Sequence, residues 1–294
     1  MKKILFTLLL AVLFVSCSEK QHKKRTDDGF VVKELNTASP DCDQYVLMST
    51  SYGNIKIKLY RETPLHRKNF INLVMNGYYN GQIFYRVDRG SLIQAGDYTS
   101  IKDPDRPDIG IHDVDYKIQS EIDPTKRIHK RGVIAAASST KGGIESSGSH
   151  FYIVAQKNVS EKKLAAAERN FTEKVMADAR YIELYKQNSK KLNELNKLGK
   201  KNSEKATEYK QMLRSMKQQA IKETKGKKFK YSNAQRKTYL EKGGLPHLDH
   251  LMTVFGEVVE GMDVVDAIAS VSVSDGRPNE NVFIKKITVI NGNK

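Results

Sequence analysis

Apolar positions recur with two different periods along this chain. From Tyr45 they alternate: Val46 and Met48, then Ile55, Ile57 and Leu59, on either side of Ser51-Tyr52-Gly53-Asn54. A period of two around a Gly-Asn turn predicts a β-hairpin with one buried face. Thr63-Pro64 then supplies a cap residue and a first-turn proline, and Phe70, Leu73 and Val74 follow at helical spacing, so a helix is predicted to end near Asn76-Gly77. Short strands are predicted at 83–87, 91–94, 133–137 and 151–155, separated by loops rich in Gly, Ser, Asp and Pro. After Leu245 the β pattern resumes over 251–259. Gly261 then precedes a short amphipathic helix with Met262, Val265, Ala267 and Ile268, and a last strand falls within 282–290. Many short strands at this cadence predict a barrel or sandwich.

Between 157 and 244 the period lengthens, Gly and Pro nearly vanish, and Lys, Glu, Ala, Gln and Asn dominate. Ala206, Tyr209, Leu213, Met216 and Ala220 step by three and four and form one apolar seam. Phe171, Val175, Ile182, Tyr185 and Leu192 form a rougher one before it. Gly199 and residues 200–203 lie between them, so the stretch predicts a long antiparallel helical hairpin inserted into the β domain. Ser232 with Gln235 fits a capping box and predicts a shorter helix afterwards.

The ends and the charge change the picture. Met1-Lys2-Lys3 precedes an apolar run of about a dozen residues, an export signal too short to span the ~30 Å hydrocarbon core. It ends at Val15-Ser16-Cys17, which resembles a bacterial lipobox, so 1–17 is expected to be a signal peptide with Cys17 as the lipidated residue. Several acyl chains on one cysteine would anchor the protein stably. Residues 18–44 are polar without period and are expected to form a flexible tether. Cys42 is then left with no intramolecular disulfide partner. The formal charge is +16, and the helical segment holds roughly 24 Lys plus Arg against about 10 Asp plus Glu, so nearly all the excess sits there. An anionic surface or acidic partner is expected at that arm. Nucleic acid is disfavoured, because few aromatics interrupt the lysines.

The β segments carry ordered blocks: Thr63-Pro64 with Asn69-Phe70, Phe84-Tyr85-Arg86-Val87, Gln94-Ala95-Gly96-Asp97, Gly148-Ser149-His150-Phe151-Tyr152-Ile153 and Val254-Phe255-Gly256-Glu257-Val258. In this order they resemble the cyclophilins, peptidyl-prolyl cis/trans isomerases, over 45–156 and from 245 to the C-terminus. The resemblance implies a mainly β fold over 45–294: an eight-stranded antiparallel barrel capped by two helices, interrupted by the basic helical insertion. It implies no cofactor and no metal. His247 and His250 flank Leu248-Asp249 but have no further ligand cluster at fixed spacing.

The same resemblance assigns Arg86 and Gln94 as the catalytic pair. Rotating a prolyl amide works against a resonance barrier of ~18–20 kcal/mol. Twisting localises a lone pair on the prolyl nitrogen, so a guanidinium placed there binds the twisted state better than the planar one. Leu92, Tyr152 and Leu248 correspond to the apolar proline pocket. Ala137 and Ser138 correspond to a backbone-contact segment, and His150 and Met252 to further substrate contacts. Ser91 stands where the family usually has phenylalanine, which removes a wall worth on the order of 1–3 kcal/mol of ligand burial. Two functions stay open: isomerisation of proline-containing exported or envelope proteins, from a lipid-anchored position facing the periplasm, or a catalytically weak binding and scaffolding lipoprotein that holds clients with its basic arm.

Overall fold

The computed structural model describes residues 23–25, 31–33, 42–138 and 145–290. The signal segment and Cys17 lie outside the described residues. Within the stretch read as a tether, β1 (Lys23–Arg25) and β2 (Val31–Lys33) pair antiparallel, a ladder too short to leave a sequence period. Among the described residues no helix is long and apolar enough to cross a membrane.

The first half of the β domain contains β3 (Gln44–Thr50), β4 (Gly53–Leu59), α1 (Pro64–Met75), β5 (Arg86–Asp88), β6 (Leu92–Ala95), β7 (Lys117–Gln119), β8 (Val133–Ser138) and β9 (Glu145–Val154). Five helices follow: α2 (Glu161–Asn170), α3 (Glu173–Gln187), α4 (Ser189–Gly199), α5 (Ser203–Thr224) and α6 (Asn233–Lys242). The chain then returns through β10 (Val254–Glu260), α7 (Met262–Ile268), β11 (Val273–Ser274), β12 (Arg277–Pro278) and β13 (Ile284–Ile290).

The main sheet is antiparallel, in the order β13-β3-β4-β10-β8-β9-β6-β5, with β7 added beside the first part of β9. It therefore has nine strands, one more than the expected eight. The extra pairing arises because β9 starts at Glu145 rather than near Phe151; its Ser- and Gly-rich beginning carries no alternation that would announce a strand. The sheet curls until its ends meet. Gly81 N–H donates to the Ile284 carbonyl (2.8 Å), Ile284 N–H to Gln82 (2.7 Å) and Phe84 N–H to Val282 (2.9 Å).

Register explains the core. Val46 faces Ile57 and Met48 faces Ile55 across the hairpin, and all four side chains are fully buried. Each such burial contributes about 1.5–3 kcal/mol. Phe70 of α1 packs on Tyr79, Phe151 and Phe255 with ring centroids 5.0–5.5 Å apart. α1 starts at Pro64, as expected, but Thr63 makes no side-chain cap bond. The carboxylate of Glu121 takes that role, accepting from the Leu65 and His66 amides at 3.0 Å each. A negative charge at a helix N-terminus is favoured by the unpaired N–H groups there.

The insertion, read as a long hairpin followed by a shorter helix, is divided into five helices. α5 packs against both α3 and α4, and Leu184, Leu192, Met216 and Ala220 form their shared core. α3 and α4 break at Asn188, whose side-chain amide donates to the Leu184 carbonyl (2.8 Å). Such local side-chain bonding competes with helix continuation. Ser232 and Gln235 form a capping box at α6. A second cluster, including Ile128, Leu164, Phe171, Tyr231 and Tyr239, fastens α2 and α6 to the barrel.

Candidate active site

Antiparallel register brings the predicted pair together. Arg86 lies directly opposite Gln94 in the β5–β6 ladder, Gln94 opposite Tyr152 in β6–β9, and Tyr152 opposite Ala135 in β8–β9. Directly opposed residues project to the same face. Ile93, Ala95, Phe151 and Ile153 point into the barrel core, so this row lies on the outer face together with Leu92, Val133 and Val154. Adjacent strands lie about 4.8 Å apart, which places Arg86 within one strand of the glutamine and two of the tyrosine.

Arg86 is half exposed, with its Nη2 3.8 Å from the Asp88 carboxylate. Its Nη1 donates to Gln94 Oε1 at 3.4 Å, a long hydrogen bond. Behind Gln94 the contacts are short. Gln94 Nε2 donates to the Tyr85 hydroxyl oxygen at 2.6 Å, Tyr85 Oη lies 2.6 Å from His150 Nδ1, and His150 Nε2 lies 2.6 Å from the backbone carbonyl of His112. Tyr85 is 8% exposed, and burial pushes its pKa up, so the hydroxyl keeps its proton. His150 was expected to touch substrate. It is 7% exposed, with both ring nitrogens engaged within the protein.

The apolar positions converge beside this row. Leu92, Val133, Ala135, Tyr152, Val154, Leu245 and Val254 form one cluster, with Leu248 and Met252 half-buried against it. Tyr152 differs from the expected open aromatic face, since it is 2% exposed. Its hydroxyl points inward, 2.9 Å from His129 Nε2 and 3.1 Å from Met252 Sδ. Met252 thus sits against Tyr152, so the ring forms the base of the apolar patch, and Leu92 and Leu248 adjoin it. Ala137 and Ser138 end β8, both half-buried; residues 139–144, which follow, lie outside the described residues. Ser91 has a backbone role: its carbonyl accepts from the Ala155 and Gln156 amides at 2.7 and 3.0 Å, pinning the chain as it leaves for the insertion.

Several participants were invisible to sequence reading. His129 Nδ1 and its own backbone N–H both meet Asp249 Oδ1 at 2.8 Å, and the Tyr239 hydroxyl donates to Asp249 Oδ2 at 2.5 Å. This joins α6 of the insertion to Tyr152 through fully buried groups. Asp249 stands in the Pro-His-Leu-Asp block, but nothing local shows that its donors come from residues 129 and 239. Both ends of the insertion also meet here. Gly243 has φ +83°, and a Cβ on it would collide with the Gln156 and Lys157 carbonyls. A cavity of about 460 Å³ lies between the barrel and α6, lined by Lys58, Lys126, Arg127, Lys130 and Lys242 and by the carboxylates of Asp43 and Glu62; Lys58 and Lys130 are both paired with Glu257.

Comparison with known proteins identifies the family and the fold. Residues 45–172 and 172–289 match the family model described as cyclophilin type peptidyl-prolyl cis-trans isomerase/CLD. A Staphylococcus saprophyticus protein named "Putative peptidyl-prolyl cis-trans isomerase" is 24% identical over 260 residues, covering 87% of this chain and 97% of that one. Peptidyl-prolyl cis-trans isomerase-like 3 of Neurospora crassa is 30% identical over 113 residues, 38% of this chain and 66% of that protein. The crystal structure of a Cryptosporidium parvum cyclophilin type peptidyl-prolyl cis-trans isomerase shares the fold, with a TM-score of 0.50 and 18% identity over 85% of this chain and 99% of its own. The chain belongs to the cyclophilin-type peptidyl-prolyl cis-trans isomerases.

Proposed function

We propose that this isomerase acts on exported or envelope proteins as a folding catalyst, anchored through lipid on Cys17 and facing the periplasm. The observation that carries the chemistry is the opposition of Arg86 and Gln94 on an open sheet face. A prolyl residue seated against Leu92 and Leu248 would present its nitrogen to the guanidinium. As the amide twists out of conjugation the nitrogen lone pair becomes a better acceptor, so the Arg86 hydrogen bond strengthens only on the way to the transition state. Gln94 would keep the guanidinium aimed. The reaction needs no nucleophile or redox group; it only lowers a rotational barrier that otherwise takes tens of seconds to cross.

The location rests on Lys2-Lys3, the apolar run and Ser16-Cys17. Cell fractionation tests it: the protein should enter the membrane fraction, and Cys17→Ala should release it. A Cys17→Ala protein that remained membrane-bound would reject the lipid anchor.

A second reading is favoured by Ser91 and by the burial of Tyr152, which together leave the proline site with less open aromatic surface. In it the protein grips clients and turns them over slowly, with the cationic cavity beside α6 drawing in acidic segments. Capture of an unfolded acidic client should then fall when Lys126 and Lys242 are replaced by Glu, while turnover of a short neutral proline peptide stays unchanged. Equal capture by the wild type and the double variant would remove this reading's support.

A further inference from the structure

The hydrogen bonds behind Gln94 have a forced direction. A backbone carbonyl can only accept, so His150 must carry a proton on Nε2 to meet His112 O. In the neutral ring Nδ1 is then a bare acceptor, and the Tyr85 hydroxyl must donate to it. The tyrosine oxygen is left to accept from Gln94, which therefore turns its NH₂ toward Tyr85 and its carbonyl oxygen toward Arg86. Every link points the same way, from the guanidinium to the His112 carbonyl. The Tyr85 ring cannot swing away. It meets His150 edge-on at 5.5 Å, and Gly110 packs so closely that a Cβ there would lie 2.7 Å from Tyr85 Cε2.

We propose that Tyr85 and His150 are positioning residues for prolyl isomerisation: held by His150, the Tyr85 oxygen accepts from Gln94 Nε2 and so fixes which end of that amide faces Arg86. Without that acceptor the Gln94 amide is free to rotate and present its NH₂ to a guanidinium that can only donate. Arg86 would lose its hold and the twisted amide its aligned donor. Around the imidazole stand Tyr85 from the segment before β5, Asp113 with its Lys117 partner from the loop before β7, and Asp97 with His112 beside the accepting carbonyl. Arg86 and Gln94 close the far end.

The inference rests on Arg86 being the catalytic donor, and the experiment separates the two. Isomerisation of a proline tetrapeptide by the full chain is followed by protease-free NMR exchange. His150→Ala should lower kcat about tenfold with KM little changed, about the loss of one buried hydrogen bond. His150→Gln, which keeps a donor and an acceptor, should recover part of kcat. Tyr85→Phe should behave as His150→Ala. If His150→Gln recovered none of the kcat lost in His150→Ala, or Tyr85→Phe kept the wild-type kcat, the inference would be overturned while an inactive Arg86→Ala still upheld the catalytic assignment. If Arg86→Ala matched the wild type, both would fall.

Discussion

Asp113 shows how much of this site is held by single side chains. Its Oδ1 accepts from the Ser149 amide (3.0 Å) and hydroxyl (2.8 Å), and its Oδ2 takes the Lys117 ammonium at 2.7 Å. Burial pushes the carboxyl's pKa up, but the Lys117 ammonium and the Ser149 and Ser147 hydroxyls outweigh it and hold the pKa below the usual carboxylate value. A depressed folded pKa means that the stabilisation is present above the unfolded value of about 3.9 and is lost as pH falls through the lower folded value. Asp113→Asn should therefore lower stability by about 1–3 kcal/mol at neutral pH. Thermal melts at decreasing pH should show the gap to wild type closing below about pH 3.9; a gap constant down to acid would contradict the charged role. Arg86 and Gln94 were singled out in the sequence through the family resemblance of the blocks Phe84-Tyr85-Arg86-Val87 and Gln94-Ala95-Gly96-Asp97. Tyr85 was legible as a residue but not as a partner, since its contact to His150 spans 65 positions and leaves no periodic mark.

At the scale of elements, the strands that alternate were readable and those that do not were missed. β3, β4 and α7 follow their patterns closely, because each buries one face against a single core. β7 and the beginning of β9 pair through Ser146 and Ser147, small polar residues whose burial depends on partners far away in the chain. The insertion was legible as helical but not as five pieces, since the break at Asn188 is a local hydrogen-bond choice inside a polar run. Its attachment is also tertiary. Tyr239 of α6 donates to the fully buried Asp249, and Tyr231 donates to the Pro246 carbonyl at 2.6 Å. Tyr239→Phe should cost about 1–3 kcal/mol, because it leaves a buried carboxylate one donor short. It should also loosen residues 245–252, which carry Leu248 and Met252. Hydrogen exchange checks both effects: amides of this segment should exchange faster, and unchanged protection would show that α6 does not brace the site.

For the molecule as a whole, charge and fold divide the labour. The barrel is closed by backbone hydrogen bonds between 81–84 and 282–284, and it fixes Arg86 on a rigid face. The helical insertion carries nearly all of the excess positive charge on a separate core. Charge of this kind acts on encounter rather than on the chemical step. Raising the salt from about 50 to 500 mM, which shortens the screening length severalfold, should slow capture of acidic unfolded clients and leave kcat on a neutral tetrapeptide unchanged. Equal salt dependence of both would place the charge in the catalytic step. Everything else depends on the guanidinium binding the twisted amide more strongly than the planar one. The most direct test is Arg86→Ala in the full chain, with peptide affinity and exchange rate measured on the same sample by NMR. The account predicts that kcat falls about a hundredfold while the dissociation constant of the peptide hardly moves. A variant that isomerises as fast as the wild type, or whose whole loss appears in affinity, would contradict it.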